Sequence, residues 1–139
     1  MPPGAVKIEV HHSSRHPKGG SLSYGIVYQG KRFVCATDTE GYQEGDGQLV
    51  RFAHGADLLV HDAEYTDDEY TGPPTHHQGW GHSTWKMAVR VGEQAAVKRL
   101  ALTHHHARHD DAFMHEIERQ VQEVFPRAFV VREGMTVLL

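Results

Sequence analysis

The twelve residues Leu100 to Asp111, LALTHHHARHDD, hold four histidines and two aspartates directly after a short apolar run. An apolar strand that delivers polar residues at its carboxyl end is how open α/β sheets present ligand sites. Two other apolar runs end the same way: RFVCATD closes on Asp38, and DLLVHD closes on His61 and Asp62. If the strands are parallel neighbours, Asp38, Asp62 and His104 reach one sheet edge. His16, in a loop between strands, is a fourth candidate. Imidazole and carboxylate are ligands for zinc, iron or manganese, and an aspartate such as Asp38 can bridge two ions. Such ions lower the pKa of a bound water toward about 7. The segment Gly81-His82-Ser83-Thr84 then places His82 at a helix mouth, where it can serve as a general acid if a carboxylate orients it, and Asp62 is the candidate. Each residue also has a plainer reading: a turn aspartate, a solvated loop histidine, a polar surface loop at His104–His106, a simple N-cap at GHST. Order and spacing together favour the site.

The elements that must position these residues follow from periodicity. Ala5 to Val10 alternates as a strand, and HHSSRHPKGG reads as a loop. Leu22–Tyr28 and Arg32–Thr37 form a hairpin about Gln29-Gly30-Lys31. Gln48 to His54 is a short helix closed by Gly55, and Asp57–His61 is a buried strand. Asp62 to Gly81 is a long loop with about one helical turn, and long loops tend to be functional. Ser83 is the expected cap of a helix to about Ala96, with Trp85, Ala88, Val89, Val91 and Ala95 on its apolar side. Arg99–Thr103 is another buried strand. Asp110 or Asp111 caps a helix to about Val124, with Phe113, Ile117, Val121 and Val124 spaced to share a face. Ala128–Val131 and Met135–Leu139 are expected to close the chain as a hairpin. The layout is a single α/β domain over 1–139, a mixed β-sheet with helices packed on one face. Trp80 and Trp85 flank GHST; packing against the sheet and lining a pocket are both open to them.

Composition narrows the function classes. With 139 residues the chain can bury a real core. The net charge of −4 gives no global basic field to attract nucleic acid. One cysteine, Cys35, cannot form an internal disulfide. No apolar run approaches the roughly 18 residues of a membrane span, and the N-terminus lacks a signal-peptide pattern, so the cytoplasm is the expected compartment. The outlier is thirteen histidines.

HPKGGSLSYGI, FVCATDTE, ADLLVHDAEYTDDEY, GWGHST and VKRLALTHHHARHDD, in that order, resemble the second half of a metallo-β-lactamase-fold hydrolase, in the phosphodiesterase-like branch that includes tRNase Z. The resemblance runs from about Lys7 to about Pro126. It implies half of a four-layer αββα sandwich. It implies that His16 and His104 are metal ligands and that Asp38 bridges two ions, zinc first, with manganese or iron as alternatives. It implies that His82 protonates the leaving group and that Asp62 orients it. Asp62 stands where tRNase Z-like members carry a glutamate in a His-Glu-Ala-Thr segment. His105, His106 and His109 receive no role. The family's His-x-His-x-Asp-His signature, which supplies four of the usual ligands, has no match here. Three expectations follow. The metal site is partly occupied or empty in the chain alone. The inner sheet face is apolar and uncovered. A second copy, or a partner chain bearing the missing half, completes the site for a phosphodiester or other small-molecule substrate. The rival expectation is a non-catalytic remnant that works as a binding or assembly module.

Overall fold

In the computed structural model, which describes residues 2–139, ten elements follow one another. They are β1 (Lys7–Ser13), β2 (Ser21–Tyr28), β3 (Lys31–Ala36), α1 (Gly47–Ala53), β4 (Leu58–Asp62), α2 (Asp67–Thr71), α3 (Trp85–Gln94), β5 (Leu100–Thr103), α4 (Asp111–Val124) and β6 (Ala128–Val130). The six strands form one sheet in chain order. β1, β2 and β3 are antiparallel; β3 to β6 are parallel. The β2–β3 turn works because Gln29 and Gly30 both take positive φ, the geometry that matches the twist of a two-residue hairpin. The parallel strands need crossovers, and α1, α2 with α3, and α4 supply them.

Strand alternation separates two faces. Val34, Leu59, Leu100 and Ala128 pair in register, as do Ala36, His61, Leu102 and Val130. These rows are buried, and all but His61 form one core with Leu49, Ala53, Ala88, Val91, Ile117 and Val121 of the helices. The opposite face carries a second set. Val10, Tyr24, Cys35, Val60, Ala101 and Phe129 make one apolar row across all six strands, and Ile8, Ile26, Phe33 and Leu58 make a parallel row. Ile8 and Val10 are 63 % and 56 % exposed, and Leu22 and Tyr24 are also open. Helices pack one face and the other is apolar and uncovered at its β1–β2 end, as the sequence predicts.

Four expectations change in detail. β1 runs on to Ser13, because His11, His12 and Ser13 continue the ladder with Ser23, Leu22 and Ser21. Thr84, not Ser83, caps α3: its hydroxyl accepts from Met87 N. Ser83 instead donates to the Thr39 carbonyl at 2.6 Å and accepts from Gly41 N. Met135–Leu139 forms no strand; the turn Met135 N to Arg132 O leads into an irregular tail held by the Arg99 guanidinium on the Leu138 carbonyl. On α4 only Ile117 and Val121 are buried, while Phe113 and Val124 are exposed. No helix among the described residues is long and apolar enough to cross a membrane.

Candidate functional site

Parallel β3, β4 and β5 bring their carboxyl ends to one edge, and the expected residues gather there. Asp38 lies two residues beyond β3 and His104 one beyond β5. Both take positive φ, 52° and 60°. That backbone is uncommon for residues other than glycine and clusters at functional sites. It turns each side chain off its strand direction at the sheet edge.

His16 reaches the edge from the β1–β2 loop. Its Nε2 is 3.8 Å from Asp38 Oδ1. Gly81 makes room for it: a Cβ there would lie 2.5 Å from His16 Cδ2 and 2.6 Å from Pro17 Cδ, at φ +92°. Only glycine fits both the conformation and the approach.

Asp62, the last residue of β4, is fully buried. Its Oδ2 accepts from His82 Nδ1 at 2.7 Å and from Asp38 N at 3.1 Å. Its Oδ1 accepts from Ser83 N at 2.9 Å. One carboxylate thus ties the β3 end to the GHST segment. A carboxylate can only accept, so His82 carries its proton on Nδ1 and turns Nε2 outward from the pair. The bond to Asp62 raises the His82 pKa above the ordinary histidine value, against a smaller opposing effect of burial. The His82 ring stacks on His104 at 4.5 Å and meets the edge of His16 at 5.5 Å.

Two donor groups are compact enough for an ion. His16, Asp38 and His82 form one, and Asp62, His82 and His104 form the other, each with ligand atoms within 4.8 Å of one another. His104 therefore joins His16 and Asp38 through His82 rather than by direct approach. Nitrogen and carboxylate oxygen suit zinc, and the His16–Asp38 spacing is near that of two donors on one ion. His61 is absent from this edge. It is fully buried on the helix face, with Nδ1 donating to the Asp62 carbonyl at 2.7 Å.

Two carboxylates that sequence reasoning left without a role belong here. Glu64 Oε2 lies 3.4 Å from His82 Nδ1 and 3.8 Å from His104 Nε2. Glu40 is fully buried and accepts from Gly79 N at 2.8 Å, from Gly81 N at 2.9 Å and from the Tyr70 hydroxyl. It fixes the loop that carries Gly81 and His82. The signal was in the segments ATDTE and HDAEY, where an acid sits two residues after a candidate site aspartate.

Residues 4–105 match the family described as the β-lactamase superfamily domain. The chain belongs to the β-lactamase superfamily. Among curated members of this superfamily, it is 32 % identical over 139 residues to a ribonuclease Z of Halalkalibacterium halodurans, covering 96 % of this chain and 42 % of the relative. It is 43 % identical over 134 residues to a ribonuclease Z of Lactococcus lactis, covering 84 % and 41 %. The chain therefore spans about two fifths of the length of these relatives. The metallo-β-lactamase fold protein YhfI from Bacillus subtilis superposes with a TM-score of 0.74 at 18 % identity, over 94 % of this chain and 47 % of that one, which shows the shared fold.

Proposed function

We propose that this chain contributes the later half of a metal-dependent phosphodiester hydrolase site. The observation that carries the reading is the buried Asp62 bonded to His82, stacked on His104 beside the His16–Asp38 pair. Its superfamily relatives named ribonuclease Z support the phosphodiester class. In this reading His16, Asp38 and His104 would hold metal, zinc by preference and manganese or iron as alternatives, with Asp38 the residue that two ions would share. Metal bound there would supply a water nucleophile at neutral pH and charge stabilisation at the phosphoryl oxygens.

The chain's own residues do the rest. Asp62 holds the His82 ring in one tautomer and stabilises its protonated form. Protonated His82 presents Nε2–H to the departing oxygen and returns a neutral ring once the proton has moved. Glu64 adds a second negative charge beside both histidines.

His16, Asp38 and His104 fall short of the four ligands a zinc ion usually takes. The uncovered apolar face supports the same conclusion, since open patches of this kind mark association surfaces. A second copy, or a chain bearing the missing signature, covers that face and completes the donors. The test is hydrolysis of bis(p-nitrophenyl) phosphate with zinc or manganese, by the chain alone and with such a partner. Turnover that appears with the partner and vanishes in His82→Ala supports the reading. A second reading, a non-catalytic binding or assembly module, rests on the short ligand set. It is favoured if no partner restores turnover while association through the sheet face persists.

A further inference from the structure

Next to the metal-site edge lies a cleft of about 520 Å³ between α2, the loop that follows it and the β5–α4 loop. His77, Trp80, His106 and Arg108 line it, with Asp68 and Glu69 on the α2 side. His77 neighbours both of the other rings. His77 meets Trp80 edge-on at 5.0 Å and lies 6.4 Å from His106. Beneath them the buried Tyr65 ring stacks on His77 at 4.4 Å and touches His106 at 5.9 Å. The same Tyr65 ring meets His82 at 6.4 Å. One aromatic ring therefore separates the cleft from the catalytic pair.

The two histidines are set as opposite hydrogen-bonding partners. His77 Nδ1 faces the Glu69 carbonyl at 2.6 Å and must donate to it, which leaves Nε2 as an acceptor. His106 Nδ1 accepts from Arg108 N at 3.2 Å, which leaves Nε2 as a donor. Neither second nitrogen has a hydrogen-bond partner among the described residues. Trp80 is 59 % exposed, although a large ring in water is unfavourable unless something covers it.

We infer that this cleft is a nucleobase subsite, which stacks a base of the substrate against Trp80 and reads its edge with His77 and His106. An aromatic platform with a neighbouring arginine is how proteins hold unstacked bases. An adjacent donor and acceptor match what every base presents on its pairing edge. The Glu69 carboxylate is taken up by His109 Nε2 and Thr66 N, and Asp68 offsets Arg108 in the lining. The cleft therefore holds no surplus positive charge for a phosphate and suits the planar, uncharged part of a nucleotide better than its anion. The subsite rests on the phosphodiester reading for its purpose, and its binding can be measured without it.

The experiment uses the full chain in EDTA, with adenosine 5′-monophosphate and ribose 5-phosphate as probes. Binding is read by quenching of Trp80 fluorescence and by saturation transfer to the base protons. The nucleotide is expected to quench and to receive saturation, and the base-free sugar phosphate to do neither. Trp80→Ala, at an open position, is expected to weaken nucleotide binding by about tenfold or more, read by saturation transfer. His106→Ala weakens it as well. A trinucleotide that binds more tightly than the monomer assigns the base to a nucleic-acid chain; equal affinity assigns it to a small nucleotide; either outcome supports the subsite. Equal binding of the sugar phosphate, or nucleotide affinity unchanged in both variants, overturns it. Nucleotide binding through Trp80 with no turnover in any pairing would unseat the hydrolase and leave the subsite standing. Turnover with base binding independent of Trp80 and His106 would do the reverse.

Discussion

The Nδ1 atom of His82 lies 2.7 Å from Oδ2 of Asp62, a carboxylate that solvent does not reach. Asp38 N and Ser83 N converge on the same two oxygens. Asp62→Asn replaces one acceptor oxygen with an NH₂ group that faces existing donors. The variant is expected to lose roughly 2–4 kcal/mol of stability, the range for breaking a buried charged hydrogen-bond set. Urea unfolding measures this, and histidine resonances in the same variant should show His82 titrating at lower pH than in the parent.

Two histidines give opposite pH dependences. The Asp62 bond raises the His82 pKa above 6.5, so its contribution is full below about 6.5 and disappears as pH climbs through the raised value. Burial lowers the His61 pKa below 6.5. The unfolded chain then binds a proton that folded His61 refuses, so stability declines as pH drops from about 6.5 toward the lowered value. Unfolding free energies across this range for the parent and His82→Ala should differ most on the acid side. An equal difference at every pH would contradict the assignment to His82.

Most of the frame was legible because it rests on local pattern. The apolar runs ending at Asp38, Asp62 and His104 are three of the four parallel strands, and their order in the chain is their order in the sheet. What escaped depends on distant partners. HHS has turn-like composition yet stays extended because β2 supplies its ladder. Ser83 has the type of a helix cap, but the Thr39 carbonyl claims its hydroxyl across the fold. Glu40 and Glu64 act on the Gly79–His82 loop, and no spacing rule links residues so far apart in sequence.

Gly81→Ala tests how tightly the His16 loop is docked. The added Cβ meets His16 and Pro17 at 2.5 and 2.6 Å, and the backbone is held at φ +92°. A cost of about 1–3 kcal/mol is expected from strain at such a site. His16 must also move off Asp38. Metal affinity, read by competition with a zinc indicator dye, should therefore fall together with stability. A change in stability alone would place the Gly81 contact outside the metal pair.

The open sheet face predicts association. Val10 and Tyr24 are cross-strand partners on that face and both are exposed. The parent should sediment above the 15.6 kDa of one chain, or bind an apolar dye as a monomer. Val10→Lys combined with Tyr24→Lys should remove either behaviour with little effect on unfolding, since neither side chain is in the core. A dye-silent parent that stays monomeric at micromolar concentration would count against an association face.

Zinc titration separates ligands from the general acid. With His16, Asp38 and His104 as the only donors given to metal, one chain should bind no more than one ion tightly, because a structural or catalytic zinc normally takes at least three protein ligands. Asp38→Ala or His16→Ala removes a direct donor and should lower affinity by at least the 10–100-fold seen when a supporting residue is lost. The Nδ1 bond to Asp62 leaves Nε2 free for either role. With Nε2 as the proton donor, His82→Ala should leave zinc affinity near that of the parent while abolishing turnover in a completed site. The compact His16–Asp38–His82 group allows a different outcome. If His82→Ala lowers affinity as much as Asp38→Ala, His82 Nε2 is a ligand, and proton delivery to the leaving group passes to another residue.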